Sequence, residues 1–249
     1  MLNNYLSEKD KERFSKICDE VFAGEKAQNG VGTLSEKSLH AVVKNFVEEN
    51  REFHERKLGR FVADVFDGSS VFEIQTRSFY KMKSKLCEFL ETMPVTVVYP
   101  LIRNKRLIRV DKKNGEFGKP GKSSKKGDIH MFFREMYGLA DIILNPGIKF
   151  RVLLIDVDEY RLIRSEKDRG GEKGDIVPRE IIADYRFDCF EDFAEVIPND
   201  LPETFTAEQY AGAAKARKED AACEIRVLAK LGILEEAGRE GHSKLWHLR

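Results

Sequence analysis

Three short strand-like segments follow one another closely, and their spacing restricts the fold of this chain more than any other part of the sequence. The segments cover Phe53–Leu58, Arg60–Phe66 and Val71–Gln75. Only Gly59 and the turn Asp67-Gly-Ser69 separate them, so each segment is expected to pair with the next in antiparallel orientation. The sequence therefore predicts an antiparallel meander of three strands.

Helices are predicted on both sides of the meander, and a buried strand follows the second helix. The sequence Thr33-Leu-Ser-Glu36 has the pattern of a capping box, and the apolar residues after it recur at helical spacing. A second amphipathic helix is predicted over Phe79–Leu90, and the continuous apolar run Val95–Tyr99 is typical of a strand buried on both faces. The order of elements is αβββαβ, which indicates an α/β (α+β) fold with a mixed sheet.

The remaining segments of the main unit predict further elements. Ser7 is placed to cap an N-terminal helix that extends to about Phe22. After the buried strand, Asn104-Lys105 is interpreted as a turn that sends the chain back along Arg106–Asp111. The later elements are a helix over Asp128–Leu144 and strands over Phe150–Ile163 and Ile181–Phe187.

The C-terminal segment has a different pattern, with two short helices and a hairpin. Thr206 is expected to cap a helix through Ala214, and a second helix covers about Glu219–Leu231. Ile233–Leu248 alternates around two glycines, as a hairpin does. These elements predict a winged helix-turn-helix domain at 199–249, after an N-terminal helix and loop at 1–32 and a main α/β domain at 33–198 with its core at 33–100.

Charge and apolar content exclude some classes of protein. The formal net charge is zero, and 41% of the residues are hydrophobic, a balance typical of a globular protein. No apolar run is long enough to span a membrane, and the N-terminus lacks the pattern of a signal peptide. The 4 cysteines are widely separated, which favours free thiols over a disulfide framework or a zinc site. We therefore expect a soluble cytoplasmic protein with no membrane partner.

One stretch departs strongly from this neutral average. Residues 102–126 contain ten basic and two acidic residues, a local charge of +8. Such a density of positive charge favours phosphate binding, although a solvated hairpin and loop would have the same composition. The residues expected to contact nucleic acid here are Arg103, Lys105, Arg106, Lys125 and Lys126.

The predicted winged helix carries a weaker signal for nucleic acid. Residues 200–249 contain eight basic and nine acidic residues, a poor electrostatic match to duplex DNA. Lys215, Arg217 and Lys218 nevertheless cluster at the turn before the second helix, where backbone contacts would be made. Binding of DNA and docking of a protein partner both stay open for this domain.

Asp64 and Glu73 lie in the second and third strands of the meander, and Gln75 shares the face of Glu73. A tight hairpin would bring the two carboxylates together near the end of the sheet. Their mutual repulsion is costly unless a divalent cation lies between them. Asp64 also lies in an apolar strand, where an unpaired carboxylate is expensive. This pattern predicts a metal site suited to phosphodiester hydrolysis.

These residues and the order αβββαβ resemble the PD-(D/E)XK nuclease superfamily over Thr33–Pro100. That superfamily has an Asp, then Glu-x-Lys, and often a Glu in the first helix; the matching residues here are Asp64, Glu73-Ile-Gln75 and Glu36. The resemblance implies that Asp64 and Glu73 hold Mg²⁺ or Mn²⁺, that the Ile74 carbonyl completes the shell, and that Gln75 orients water. Glu36 either joins this site or only completes the capping box.

The run from Phe61 to Arg77 more closely resembles an uncharacterised prokaryotic family that pairs this core with a C-terminal winged helix.

One position departs from the superfamily pattern, because Gln75 stands where a lysine is usual. An amide can orient water but supplies no positive charge. The following helix offers replacements at Lys81, Lys83 and Lys85.

Three other polar residues have a structural interpretation. His54 is interpreted as a packed or edge histidine rather than a metal ligand. Asp156 and Asp158 share one strand face, and they are interpreted as a solvated acidic face rather than a second metal pair.

The sequence therefore supports hypotheses from three classes. The first is a divalent-metal-dependent endonuclease that acts on DNA. The second is a non-catalytic nucleic-acid-binding protein with a degenerate nuclease-like site, and the third is a protein-interaction adaptor. DNA is the expected partner, while a protein partner at the winged helix and a homodimer stay open. The sequence does not distinguish DNA from RNA, or cleavage at ends from cleavage at internal sites.

Overall fold

The computed structural model describes residues 2–29, 37–164, 168 and 170–249, and it has a mixed α/β fold. Two helices come first, α1 (Glu8–Asn29) and α2 (Lys37–Val47). The next elements are β1 (His54–Leu58), β2 (Phe61–Phe66), β3 (Val71–Ile74), a 3₁₀ turn (Phe79–Met82), α3 (Lys83–Leu90) and β4 (Val95–Asp111). The predicted order αβββαβ is therefore observed from α2 to β4.

The second half of the chain adds strands to the same sheet and then forms a small C-terminal unit. Its elements in the main unit are β5 (Gly121–Lys122), a 3₁₀ turn (Ile129–Met131), α4 (Phe132–Tyr137), β6 (Ile148–Ile163), β7 (Glu172–Phe187) and a 3₁₀ segment (Glu191–Val196). The C-terminal unit contains β8 (Phe205–Thr206), α5 (Ala207–Ala213), α6 (Lys218–Lys230), β9 (Leu234–Glu240) and β10 (Ser243–Leu248).

Within the described residues, the main sheet has seven strands in the order β1-β2-β3-β4-β6-β7, with β5 paired to β4. β1, β2 and β3 pair antiparallel, so the predicted meander is confirmed. The pairs β3–β4 and β4–β6 are parallel, and β7 returns antiparallel to β6. The sheet is therefore mixed, and its parallel centre lies between two layers of helices.

The two faces of the sheet carry separate apolar cores. On one face α1 and α2 bury Phe14, Val43 and Phe46 against the sheet. On the other face α3 and α4 cover a larger core, which includes Leu86 and Phe132. Each large apolar side chain contributes roughly 2 kcal/mol through this burial, so the helices are held firmly on the sheet.

The turn expected at Asn104-Lys105 is wrong, because β4 continues through these residues and pairs with β6. Between Ile102 and Lys105 the register advances three residues on β4 but only two on β6, which defines a bulge. The backbone N–H and the side-chain amide of Asn104 both donate to the carboxylate of Asp156 at 3.2 Å. The residues with the turn-like pattern therefore form a bulge within one long strand.

The helix expected over Asp128–Leu144 is shorter than predicted. α4 ends at Tyr137, and the chain continues in turns. A Cβ at Gly138 would lie only 3.3 Å from the Cβ of Tyr80, so this position packs tightly against the 3₁₀ turn Phe79–Met82. The turns still bury the apolar residues that produced the helical periodicity, including Leu139 and Ile143.

Other bounds differ from the prediction by smaller amounts. Ser7 caps α1 as expected, with the Asp10 N–H 3.1 Å from its Oγ, but the helix extends to Asn29. β7 begins at Glu172, earlier than expected, because it pairs with nearly all of β6.

The described helices lack the combination of length and apolar character that a membrane-spanning segment needs.

The C-terminal helices and hairpin occur where they were expected. Thr206 and Gln209 form a capping box at α5, and β9 and β10 pair antiparallel beside β8. The unit packs on the main unit through α6, whose fully buried Glu224 accepts a hydrogen bond from the hydroxyl of Tyr210 at 2.9 Å. The same carboxylate lies 2.6 Å from Nδ1 of His130, which precedes α4.

Candidate active site

A cleft of about 850 Å³ opens where β2 and β3 separate, between α2 and α3. The two predicted carboxylates, Asp64 and Glu73, both line it. Its walls also carry side chains that can be positively charged, namely His40, Lys44, Lys81 and Lys85. The meander therefore brings the two carboxylates together in one concave site, as the sequence predicted.

At the point where β2 and β3 separate, the carboxylates of Asp64 and Glu73 accept hydrogen bonds from backbone N–H groups. Ladder pairing between β2 and β3 ends at Val65 and Phe72. Beyond it, the Asp64 N–H donates to Glu73 Oε1 at 3.2 Å, and the Ile74 N–H donates to Asp64 Oδ2 at 2.8 Å. Each carboxylate thus satisfies a main-chain donor that loses its ladder partner, and both side chains are held in place.

The alternation of side chains along β2 slips at Asp64. Ala63 packs into the core beneath α3, whereas Val65 packs into the core beneath α2. In a regular strand, residues two apart face the same side. The slip leaves Asp64 between the two cores, with 21% of its side chain exposed at the cleft. Glu55 on β1 has a positive φ of 51°, so the neighbouring strand is distorted as well.

Lys85 on α3 provides positive charge to Glu73. Its Nζ lies 2.5 Å from Glu73 Oε2, and only 4% of the Glu73 side chain is exposed. Burial raises the pKa of Glu73, the charge of Asp64 raises it further, and Lys85 opposes both, which leaves the pKa at about 7. Glu73 therefore exchanges its proton near neutral pH.

His40 on α2 approaches Asp64 from the opposite wall of the cleft. Its Nε2 lies 3.4 Å from Asp64 Oδ2. Burial acts to raise the pKa of Asp64, but the hydrogen bond and charge of His40, together with the Ile74 N–H, outweigh burial and lower the pKa. The two carboxyl groups thus have pKa values shifted in opposite directions, with Asp64 as the anionic member.

The other predicted site residues have less direct positions. Gln75 lines the cleft, but its Nε2 donates to the backbone carbonyl of Arg77 at 2.6 Å. Ile74 also lines the cleft, where its N–H is engaged by Asp64. Glu36 and its capping partner Thr33 lie outside the described residues.

The donor atoms in the cleft fit a divalent cation in part. Within the described chain, the contacts of the Asp64 carboxylate use Oδ2, which leaves Oδ1 for a hard cation. Glu73 uses Oε1 for the Asp64 N–H and Oε2 for Lys85, so it would exchange one of these contacts on binding metal. Among the described residues, no three His, Cys, Asp or Glu side chains are already grouped around a metal position.

Three of the predicted phosphate-binding residues are engaged by buried carboxylates of β6. The pairs are Arg103–Asp156 (2.7 Å), Arg106–Asp158 (2.5 Å) and Lys105–Glu159 (3.0 Å). Asp156 and Asp158 are 3% and 8% exposed, so their interpretation as a solvated acidic face is wrong. Parallel pairing of β4 with β6 places Arg106 directly opposite Asp158, and much of the positive charge on this strand is neutralised there.

The remaining predicted cations are exposed at two separate places. Lys125 and Lys126 are exposed in the loop before α4. At the turn between α5 and α6, Lys215 is exposed and has a positive φ of 52°. Its neighbours form ion pairs, which are Arg217–Asp220 (2.7 Å) and Lys218–Glu208 (2.5 Å).

Sequence reasoning misses His40 and Lys44 as residues of the cleft. They are four positions apart on the polar face of α2, a spacing that ordinarily marks a solvated surface, so no local signal separates them from other polar residues. Lys44 Nζ lies 2.6 Å from Glu55 Oε1. His54 is not among the residues that line the cleft, and its Nε2 lies 2.8 Å from the carbonyl of Glu48, as expected for a packed histidine.

The chain is similar to a protein family over the unit that holds the cleft and to a bacterial protein over most of its length. A family model described as a domain of unknown function (DUF8091) matches residues 37–188, which include both carboxylates and every described strand of the main sheet. The chain is also 24% identical over 221 residues to an "Uncharacterized protein" of Treponema pallidum (strain Nichols), with 87% of this chain and 86% of that protein covered. No solved structure matches the chain significantly. Because the family model covers more than half of its length, the chain belongs to the DUF8091 family.

Proposed function

We propose that this protein is a divalent-metal-dependent nuclease that hydrolyses phosphodiester bonds, with DNA as its substrate. The observation that carries the proposal is the meeting of Asp64, Glu73 and Lys85 in one cleft. The order αβββαβ around the cleft supports a PD-(D/E)XK-like core, and the C-terminal helices and hairpin support a winged helix. Both assignments are part of the proposal.

Lys85 supports catalysis because it supplies the positive charge that Gln75 lacks. The lysine usual in the superfamily would extend from β3, whereas Lys85 reaches Glu73 from α3. An ammonium group at this position can stabilise negative charge that develops on a phosphoryl group, and it does so most effectively in a site with little water. Only 20% of the Lys85 side chain is exposed.

Asp64 and Glu73 would hold Mg²⁺ or Mn²⁺, with the backbone carbonyl of Ile74 as a further ligand. When bound, such a cation supplies Lewis acidity and lowers the pKa of a coordinated water. The chain's own groups have separate tasks. Asp64 is anionic and offers Oδ1, Lys85 faces the scissile phosphate, and Gln75 at the rim orients water through its amide.

Three lysines and three carboxylates line the cleft, so a bound divalent cation would make its charge positive and suited to a polyanionic substrate. Lys44, Lys81 and Lys85 line it together with the carboxylates. Arg103, Lys105 and Arg106 are engaged by carboxylates of β6. Exposed basic residues elsewhere would therefore contact the phosphates that lie outside the cleft. Those candidates are Lys125, Lys126 and Lys215, with Lys218 and Arg217 available if their ion pairs open.

A second candidate is a nucleic-acid-binding protein whose cleft has lost catalysis. Two observations favour it: Gln75 donates to the Arg77 carbonyl, and Lys85 holds the Glu73 oxygen that a cation would need. In that case the C-terminal unit would provide the main activity, toward nucleic acid or toward a protein partner. The two candidates differ in whether the chain binds divalent metal.

The test is cleavage of plasmid and linear DNA by the full chain in Mg²⁺ or Mn²⁺. Wild type is compared with Asp64→Ala and Glu73→Ala, and Glu88→Ala on α3 serves as the control, because Glu88 pairs with Arg60 and does not line the cleft. Metal-dependent cutting that is lost only in the first two variants is the expected result. Absence of cutting and of metal binding by wild type would instead support the binding protein.

A further inference from the structure

His40 is the imidazole nearest to the carboxylate pair, and the proposed nuclease chemistry assigns it no task. It lies on α2, which is held against the sheet by its buried neighbours Leu39 and Val43. Its side chain is 33% exposed and lines the cleft, with Nε2 3.4 Å from Asp64 Oδ2. The imidazole is therefore held at the mouth of the site rather than buried in a core.

The separation of these two atoms is that of two ligands of one ion. Ligands at about 2.0–2.1 Å from a metal in tetrahedral or octahedral geometry lie roughly 3.0–3.4 Å apart. Nε2 of His40 and Oδ2 of Asp64 have this separation, and Oδ2 also accepts the Ile74 N–H. Lys44, one turn further along α2, is paired with Glu55 on β1.

Imidazole changes which cation a site prefers. Sites made only of carboxylate, carbonyl and water oxygens suit both Mg²⁺ and Mn²⁺, whereas an imidazole nitrogen favours first-row transition ions, of which Mn²⁺ is the one that also suits oxygen ligands. Mg²⁺ is also reluctant to exchange its water ligands for protein groups. A site that contains His40 would therefore differ in selectivity from one built on Asp64 and Glu73 alone.

We propose that His40 is a metal ligand that joins Asp64 in the cleft and makes the site selective for Mn²⁺ over Mg²⁺. This inference rests on the proposed function, since it names the cation of the same site. Glu73 or the Ile74 carbonyl supplies a further oxygen.

The first experiment measures binding of Mn²⁺ and of Mg²⁺ to the full chain by titration calorimetry, with the signal of free Mn²⁺ in electron paramagnetic resonance as an independent readout. Three variants are compared with wild type: His40→Ala, His40→Glu and the matched control His54→Ala. His54 contacts the Glu48 carbonyl outside the cleft. Thermal unfolding of each variant verifies that it is folded.

We expect wild type to bind Mn²⁺ at least tenfold more tightly than Mg²⁺. His40→Ala should weaken Mn²⁺ binding at least tenfold and change Mg²⁺ binding much less. His40→Glu should reduce the ratio of Mn²⁺ to Mg²⁺ affinity, because it creates an all-oxygen site. His54→Ala should behave as wild type.

Two results would overturn the inference, and they are distinguishable. If wild type binds metal and cleaves DNA but both His40 variants keep the wild-type ratio of affinities, His40 is not a ligand and the nuclease proposal stands. If wild type binds neither cation and cleaves nothing, the inference and the proposed function fail together.

Discussion

Lys85 on α3 donates to Glu73 on β3 across 12 positions of sequence, and this contact places an ammonium group beside a carboxyl whose pKa is about 7. The pair lies at the wall of the cleft opposite His40. A lysine on a helix thus supplies the cleft with a positive charge that the amide of Gln75 lacks.

Lys85→Met should reduce DNA cleavage by at least a hundredfold, because it removes the positive charge nearest to the carboxylates. The pKa of Glu73 should rise above 7, since the attraction of Lys85 acts to lower it. Cleavage rates and a ¹³C-carboxyl titration measure the two effects. Lys83→Met is the control, because Lys83 lies on the same helix as Lys85 but outside the cleft, where it pairs with Asp141 of the turns after α4. Equal losses in the two variants would contradict a specific role for Lys85.

Glu73→Gln should stabilise the protein at pH 8 while it abolishes cleavage. Glu73 binds its proton more tightly in the folded chain, with a pKa of about 7, than at the ordinary value of 4.5, so the free energy of unfolding falls as pH rises from 4.5 to 7. Removal of the charge should recover on the order of 3 kcal/mol at pH 8 and almost nothing at pH 4. Denaturant unfolding at both pH values measures this difference.

Asp64→Asn is the matched comparison for that measurement and should have the opposite sign. The pKa of Asp64 is lowered, so its charge stabilises the folded chain above pH 3.8. The amide should therefore destabilise the protein at pH 8. Destabilisation by both substitutions would contradict the opposite shifts of the two groups.

Arg103→Ala should destabilise the protein by about 2–3 kcal/mol, because the bidentate partner of a buried carboxylate is lost. Asp156 keeps Asn104 and a longer contact with Arg179 at 3.7 Å, which limits the loss. The control is Arg109→Ala at an exposed position of the same strand. If urea unfolding gives equal values for the two variants, the ion pair does not stabilise the fold.

The contact between the main and C-terminal units should weaken as pH rises. Burial opposes protonation of His130, but Glu224 outweighs it and raises the pKa of the imidazole, while burial raises the pKa of Glu224. Both directions mean that the folded chain holds a proton more tightly than the unfolded chain, so stability falls as pH rises, from pH 4.5 for the contribution of Glu224 and from pH 6.5 for that of His130. His130→Gln should flatten this dependence in thermal unfolding between pH 6 and 9. An unchanged slope would mean that other groups cause it.

Lys125→Ala combined with Lys126→Ala should weaken DNA binding and reduce its salt dependence. Each phosphate contact that is lost lowers the slope of log affinity against log salt by about 0.9. Fluorescence anisotropy with duplex DNA in metal-free buffer measures the slope. Lys9→Ala with Lys16→Ala on exposed positions of α1 is the charge-matched control. A slope that falls equally in both double variants would indicate only a change in net charge.

The sequence by itself determined the elements that depend on neighbours along the chain. Capping residues such as Ser7 and Thr206 act within one helical turn, and the short turns of the meander permit only antiparallel pairing. The proximity of Asp64 and Glu73 follows from the same local geometry, because a short hairpin joins their strands. These features were predictable since their energies arise from residues that are close in sequence.

Only the tertiary structure decided the features that depend on distant partners. Asn104 has the local pattern of a turn residue. In the folded chain it lies in a bulge, where Asp156, 52 positions later, accepts its backbone hydrogen bond. Lys85 and His40 become site residues because two helices pack on opposite faces of one sheet, and Arg106 is neutralised because β6 lies parallel to β4. The physical reason is that burial and ion pairing act between chain segments whose adjacency no local pattern encodes.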